Sequence, residues 1–261
     1  SKGLKNTVDI ANRIEEYDLY HGQIVPKATI PEFEMSHSFI QSYEECEYIK
    51  KFAYSENISD QYFLYLIEQG WWGKEFSVKL STEEIKSMIY RINDELEAIW
   101  ETSVKINDNV ASYYLTALEI VNMMWEDTEG NSLVGCSRGS IACFYTAYLI
   151  GLQQINPLTY DIPYWRHLDK SRPEMPDVDI DTEASKRQNI IEATRRKYGY
   201  DKVLNICTFK TEGSKSAIQT AGRGLGIDSD ITSFISGMIP VVRGATTSLT
   251  VMINGDEENG V

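Results

Sequence analysis

The apolar and polar positions fall into their clearest order in STEEIKSMIYRINDELEAIW, residues 81–100. Ile85, Met88, Ile89, Ile92, Leu96 and Ile99 recur at helical spacing and make one stripe, and Ser81 with Glu84 makes a capping box at its start. Residues 43–70 carry a helical pattern ending at EQGWWG, and a further helix is predicted over residues 110–125. DTEGNS then reads as a turn and LVG as a short strand or strand end. In CSRGSIACFYTAYLIGL the pattern turns apolar on all sides after SRGS, which predicts a buried helix up to Gly151. NPLTYDIP is irregular. MPDVDID, residues 175–181, alternates with period two and predicts a strand. A charged amphipathic helix follows to Tyr198 and stops at Gly199. KVLNICTF predicts a second strand, and TEGSKSAIQTAGRGLG a helix from near Thr211. The first 35 residues mix a short helical pattern, NTVDIANRI, with the extended GQIVPKATIPEFE and read as a connector with little core. The last segment, VVRGATTSLTVMINGDEENGV, shows no packed pattern. The order of elements predicts an α+β fold with a small mixed sheet and helices on one face.

Composition narrows the class. The 261 residues, 42% hydrophobic, suffice for one large or two modest domains. No apolar run is long enough to span a membrane, and the first residues lack a signal-like apolar core, so no membrane partner and a cytoplasmic location are expected. Cys46, Cys136, Cys143 and Cys207 form no CxxC pair, which argues against a zinc site or a disulfide framework and for buried free thiols. His21, His37 and His167 are scattered and give no support to histidine-based chemistry. The net charge of −14 speaks against a nucleic-acid partner, but its distribution changes that picture. Residues 1–130 hold 11 Lys+Arg against 24 Asp+Glu, residues 131–224 hold 13 against 10, and residues 225–261 hold 1 against 5. The basic residues gather in the middle third, where a site for an anionic substrate is expected.

That third also holds the candidate chemistry. In a strand, Asp177, Asp179 and Asp181 share one face, with neighbouring Cα atoms roughly 6–7 Å apart, while Val178 and Ile180 face the core. Like charges so placed invite a cation. Mg²⁺ takes one or two carboxylates plus substrate phosphate oxygens, and two ions about 3.5–4 Å apart can clamp an in-line displacement. A calcium loop is excluded, because its sixth and twelfth positions, Thr182 and Gln188, are not Gly and Glu. A solvated acidic edge is the plainer alternative. Upstream, GCSRGS opens the apolar helix. Gly139 and Ser140 could offer backbone N–H groups and a hydroxyl to a phosphate, with Arg138 beside them. A tight turn capping a helix is the plainer alternative here, and the spacing is not that of an ATPase phosphate loop. Arg166 and Arg172 lie between the two motifs and are either neutralisers of a triphosphate or ordinary surface residues.

The stretch from GCSRGS to NICTF closely resembles the palm domain of the bacterial DNA polymerase III alpha subunit, the C-family replicative polymerases. The GRGS-type loop, NPL, the arginine pair, PDxDxD and the YG-D-V-x-I-x-TF run stand in family order. LKNTVDIANRI resembles the exit from that family's PHP domain. The resemblance implies a polymerase-beta-like nucleotidyltransferase palm, incomplete here. Residues 1–42 would be a connector from a PHP domain, 43–208 the first part of the palm and 209–261 the start of the thumb. It further implies that Asp177 and Asp179 are catalytic and bind two Mg²⁺ ions in the complete enzyme. Arg138, Gly139, Ser140, Arg166 and Arg172 would contact the deoxynucleoside triphosphate, and Lys210, Lys215 and Arg223 the primer-template DNA. Asp181 matches a third acid that is usually dispensable. The sliding clamp and other replisome subunits would be met through segments absent here. Cys143, Phe144 and Thr182 depart from the family pattern and suggest a divergent branch, with a phage or mobile-element enzyme one candidate. The family's further catalytic aspartate, in a lysine-x-aspartate strand, does not occur before Val261. The chain is therefore expected to bind Mg²⁺ weakly, if at all, and to polymerise little alone. Two other readings stay open: a different nucleotidyltransferase of the same superfamily, although the 37 residues from Ser140 to Asp177 are long for one, and a non-catalytic α+β interaction domain.

Overall fold

A computed structural model describes residues 23–35, 45–74, 80–126, 129–172, 174–209, 211–242 and 245–255, together with residues 5, 6, 8, 12 and 13. The chain forms two compact units, Ser1–Val203 and Leu204–Val261. The first holds α1 (Glu47–Ala53), α2 (Ile58–Lys74), α3 (Thr82–Ile106), α4 (Val110–Trp125), α5 (Tyr145–Leu149) and α6 (Arg187–Tyr198), with 3₁₀ turns at Gly139–Cys143, Pro157–Tyr160 and Tyr164–Arg166.

Local chemistry sets the helix ends. The Ser81 hydroxyl accepts from the Glu84 N–H while the Glu84 carboxylate accepts from the Ser81 N–H, the reciprocal box expected from the sequence. The helical pattern over 43–70 resolves into two helices, α1 and α2. Asn57 accepts from the Ser59 N–H at 3.0 Å, and Gln61 donates to the Ser55 carbonyl at 2.7 Å, so the polar SEN triplet satisfies a new helix start rather than continuing the old one. Asn109 caps α4 by accepting from Ser112 N–H at 2.8 Å, and its amide also donates to Asp60 at 2.7 Å.

The core forms where α3 packs on α1, α4 and α5, and α2 on α1, α4 and α5. Ile89, Ile92, Leu96 and Ile99 of α3 are fully buried against a layer that includes Phe52, Phe63, Tyr114 and Phe144, while Ile85 and Met88 are partly buried. Gly70 lets α2 touch α5 backbone to backbone, because a Cβ there would collide with the Leu149 carbonyl. Residues 23–35 have no regular structure and lie along α4. The Ala28 N–H donates to Ser112 Oγ, which donates in turn to the Pro26 carbonyl. Most of NTVDIANRI, with His21 and His37, lies outside the described residues.

The expected α+β palm with a small mixed sheet is not what forms. The first unit is helical, and MPDVDID is extended without joining a sheet. Its links to another extended segment are a single antiparallel bridge, Val134 with Thr182, and the Gly135 N–H donating to the Asp181 carbonyl at 2.9 Å. KVLNICTF forms no strand among the described residues, and Leu204, Ile206 and Phe209 are exposed. Alternation reports that one face can be buried. It does not supply the partner edge a ladder needs, and strand preference is decided largely by that context. The buried helix predicted from SRGS onward is likewise interrupted, running as the Gly139–Cys143 turn, Phe144, and then the short α5.

The second unit holds α7 (Ser214–Gly224), α8 (Ser229–Gly237), α9 (Leu249–Asn254) and two paired two-residue strands, β1 (Val241–Val242) and β2 (Ala245–Thr246). Helix α8, capped by Asp228, packs on α7. The sequence reading did not anticipate it, nor the structure within the last segment. No helix among the described residues is long and apolar enough to cross a membrane.

Candidate functional site

The Gly139 turn and the acidic segment meet. Gly139 takes a left-handed φ of 65°, which a side chain would strain, and a Cβ there would collide with the Asp179 carboxylate. Glycine is needed here for both reasons. Arg138, next to it, donates to Asp181 at 3.0 Å. Around this contact the two chain segments are stitched together by Ser132 Oγ, which lies 3.1 Å from Thr182 Oγ1 and accepts from the Glu183 N–H.

The period-two alternation holds without a sheet. Asp177, Asp179 and Asp181 are exposed, while Val178 and Ile180 pack against the core. Tyr113 of α4 supports the segment from below by donating to the Pro176 carbonyl at 2.7 Å. Burial raises the Tyr113 pKa, and the Asp177 and Asp179 charges raise it further. Among the described residues neither Asp177 nor Asp179 has a side-chain hydrogen-bond or ion-pair partner, whereas Asp181 is engaged by Arg138. No three of His, Cys, Asp and Glu among the described residues gather into a metal-binding group. Two free carboxylates still match what Mg²⁺ asks of a protein, since substrate phosphates and water complete its octahedron.

Arg166 and Arg172 are exposed and line a cleft of about 370 Å³ together with Asp177, Glu174 and His167. The arginines and the first aspartate therefore share one concavity. Lys215 and Arg223 lie on α7 of the second unit, where Arg223 donates to Thr220. Lys210 is outside the described residues. Of the thiols, Cys46 and Cys143 are buried as expected, but Cys136 and Cys207 are exposed.

Two features escaped the sequence reading. The first is an ion pair under the turn, between the half-buried Arg91 and the fully buried Glu95. Arg91 donates to Glu95 at 2.6 Å, and its guanidinium also donates to the Cys143 and Ile162 carbonyls at 2.6 and 2.8 Å. Glu95, fully buried, accepts from the Tyr145 and Thr146 N–H groups and from the Thr146 hydroxyl, each at 2.8 Å. It thus caps α5 from α3. Burial raises its pKa, and Arg91 with the two N–H groups opposes that rise. Arg91 and Glu95 stand i, i+4 on α3, the spacing of an ordinary surface pair, so nothing in the sequence marked them. The second is His167, which is buried with Nδ1 2.8 Å from Ser140 Oγ. Burial lowers its pKa to about 3.

Comparison with known proteins bears on this arrangement. The family model for the bacterial DNA polymerase III alpha NTPase domain matches residues 61–259. The chain belongs to the bacterial DNA polymerase III alpha family. Among relatives in this family, the chain is 48% identical over 260 residues to a probable DNA polymerase, YorL, of Bacillus subtilis strain 168. It is equally similar to a DNA-directed DNA polymerase of Bacillus phage SPbeta, and each match covers 99% of this chain and 20% of the relative. The DNA polymerase III subunit alpha of Thermus aquaticus is 35% identical over 147 residues, covering 56% of this chain and 12% of that protein. The chain spans about a fifth of the length of the Bacillus subtilis and phage SPbeta relatives.

Proposed function

We propose that this chain carries the nucleotide site and catalytic acids of a DNA-directed DNA polymerase, which joins a deoxynucleoside triphosphate to a primer 3′-hydroxyl and releases pyrophosphate. One observation supports the reading most. The Asp179 carboxylate lies against Gly139, so Asp179 and the phosphate-loop candidate, 40 residues apart in sequence, meet on one surface. Asp177 and Asp179 would hold Mg²⁺. When bound, the ion supplies positive charge for the attacking hydroxyl and the leaving pyrophosphate.

The chain's own groups do the rest. The Gly139 turn and the Ser140 hydroxyl bind phosphate oxygens. Arg138 is kept at the mouth of the site by Asp181, within reach of an anion and without quenching Asp177 or Asp179. Arg166 and Arg172 face the same cleft as Asp177 and neutralise the triphosphate there. Lys210, Lys215 and Arg223 bind primer-template DNA through its phosphates, a contact indifferent to sequence and weakened by salt. Two carboxylates are a thin donor set for two cations. The 261-residue chain alone is therefore expected to bind Mg²⁺ weakly without triphosphate and to extend primers little or not at all.

The test is a titration of the isotopically labelled chain with dTTP and Mg²⁺, followed by NMR. The amides of Gly139, Ser140 and Asp179 should shift together on one binding curve. Resonances that stay fixed at saturating dTTP, or shifts confined to other regions, would overturn the reading. Robust primer extension by this chain that is lost in Asp177→Ala would overturn the expected inactivity alone.

A further inference from the structure

Ser140 is the loop residue whose hydroxyl is assigned above to a phosphate oxygen. A hydroxyl can donate or accept, and the role it shows a ligand depends on what else engages it. Its Oγ is 2.8 Å from His167 Nδ1. His167 is 6% exposed, with Phe144 edge-on at 4.7 Å between ring centroids and Tyr114 at 5.8 Å. Its other nitrogen, Nε2, is buried and has no hydrogen-bond partner among the described residues.

The neutral ring has two tautomers, with opposite consequences for Ser140. With the proton on Nε2, a buried N–H is stranded, and Nδ1 must accept the serine proton. The lone pairs of Oγ are then left facing any ligand and would repel an anion. With the proton on Nδ1, only a lone pair is stranded at Nε2, and Nδ1–H donates to Oγ. The serine proton is then free to point outward. Orphaned buried N–H groups are the rarer of the two defects, which favours the second arrangement. The low pKa of the ring, caused by burial, removes the doubly protonated form at neutral pH.

We propose that His167 is a positioning residue: by donating from Nδ1 to Ser140 Oγ it fixes the Ser140 hydroxyl as an outward donor to a phosphate oxygen of a nucleoside triphosphate. The inference rests on the triphosphate reading of the loop and adds to it a residue that acts through Ser140. It also gives a reason for a buried histidine in a largely apolar layer, where a phenylalanine would pack as well.

Two measurements test it. The first needs no variant. Long-range proton–nitrogen correlation of the imidazoles at neutral pH, with His167 assigned by its loss in His167→Asn, should show a protonated Nδ1 and a bare Nε2. A protonated Nε2 would overturn the inference whatever the loop binds. The second measures the affinity of inorganic tripolyphosphate with Mg²⁺ for the chain and three variants. Ser140→Ala and His167→Phe should each weaken binding at least about tenfold, the loss of one hydrogen bond to a charged group. His167→Asn, whose amide N–H₂ can replace the Nδ1–H, should stay within about threefold of the unaltered chain, well inside the span that 1.4 kcal/mol covers. Equal losses in His167→Phe and His167→Asn would mean the ring serves packing only, which sinks the inference and leaves the triphosphate reading intact. Full affinity in Ser140→Ala would instead overturn the assignment of Ser140 to phosphate, and this inference with it.

Discussion

Glu95 and Asp179 are both carboxylates against the 139–146 segment, and the protein treats Asp179, with its neighbour Asp177, in the opposite way to Glu95. Glu95 is fully buried, and both its oxygens are filled by Arg91, two backbone N–H groups and a hydroxyl. Asp177 and Asp179 are exposed and, among the described residues, unpartnered. A charge removed from water must be paired and hydrogen-bonded or it will not stay charged. A charge left in water on the rim of a cleft keeps its oxygens available. The difference separates a carboxylate that shapes the turn from carboxylates that can take up a ligand. Asp181, exposed but held by Arg138, stands between the two cases.

Removing the buried partner should do the most damage. Glu95→Ala strands the buried Tyr145 and Thr146 N–H groups at the start of α5 and takes the carboxylate from the half-buried Arg91, so denaturant unfolding should show a loss of about 3–5 kcal/mol. A loss below about 1 kcal/mol would mean that Glu95 is not the keystone of the turn.

The next effect is on pH dependence. The folded His167 pKa, about 3, lies below its ordinary 6.5, so between these values the unfolded chain holds the extra proton. The stability linked to His167 is therefore complete above about pH 6.5 and is lost as pH falls toward 3. His167→Phe should flatten the dependence of unfolding free energy on pH in that window, by up to about 1.4 kcal/mol per pH unit relative to the unaltered chain. Parallel curves for the two proteins would contradict the burial of a neutral ring.

The smallest effect sharpens the contrast from the other side. Asp177→Ala and Asp179→Ala remove charges that hold nothing in the fold, so each should change stability by no more than about 0.5 kcal/mol. A loss comparable to that of Glu95→Ala would place these acids in the structural class.

The parts of this picture that were legible in the sequence are those fixed by near neighbours. The Ser81 and Glu84 box, the α3 stripe, the bounds of α4 and the inward Val178 and Ile180 all follow from spacing within one or two turns. The family resemblance rested on motif order and is shown by the relatives. The sheet was not legible correctly, because a period-two pattern does not say whether a partner edge will be present. The Arg91–Glu95 pair and the contact of His167 with Ser140 were not legible at all. Glu95 finds Tyr145 and Thr146 across 50 residues, and Ser140 finds His167 across 27, through packing that no local pattern records.

The central claim is that the exposed acids and the Gly139 turn act as one site for a cation-bound triphosphate. Calorimetric titration of dTTP into the chain, with Mg²⁺ and then with the cation chelated, tests it most directly when repeated on the double variant Asp177→Asn, Asp179→Asn. Binding to the unaltered chain should tighten at least severalfold with Mg²⁺, and in the double variant that dependence should vanish while a weak, arginine-borne affinity remains. Equal affinity with and without Mg²⁺, or the same Mg²⁺ dependence in the double variant, would contradict the account.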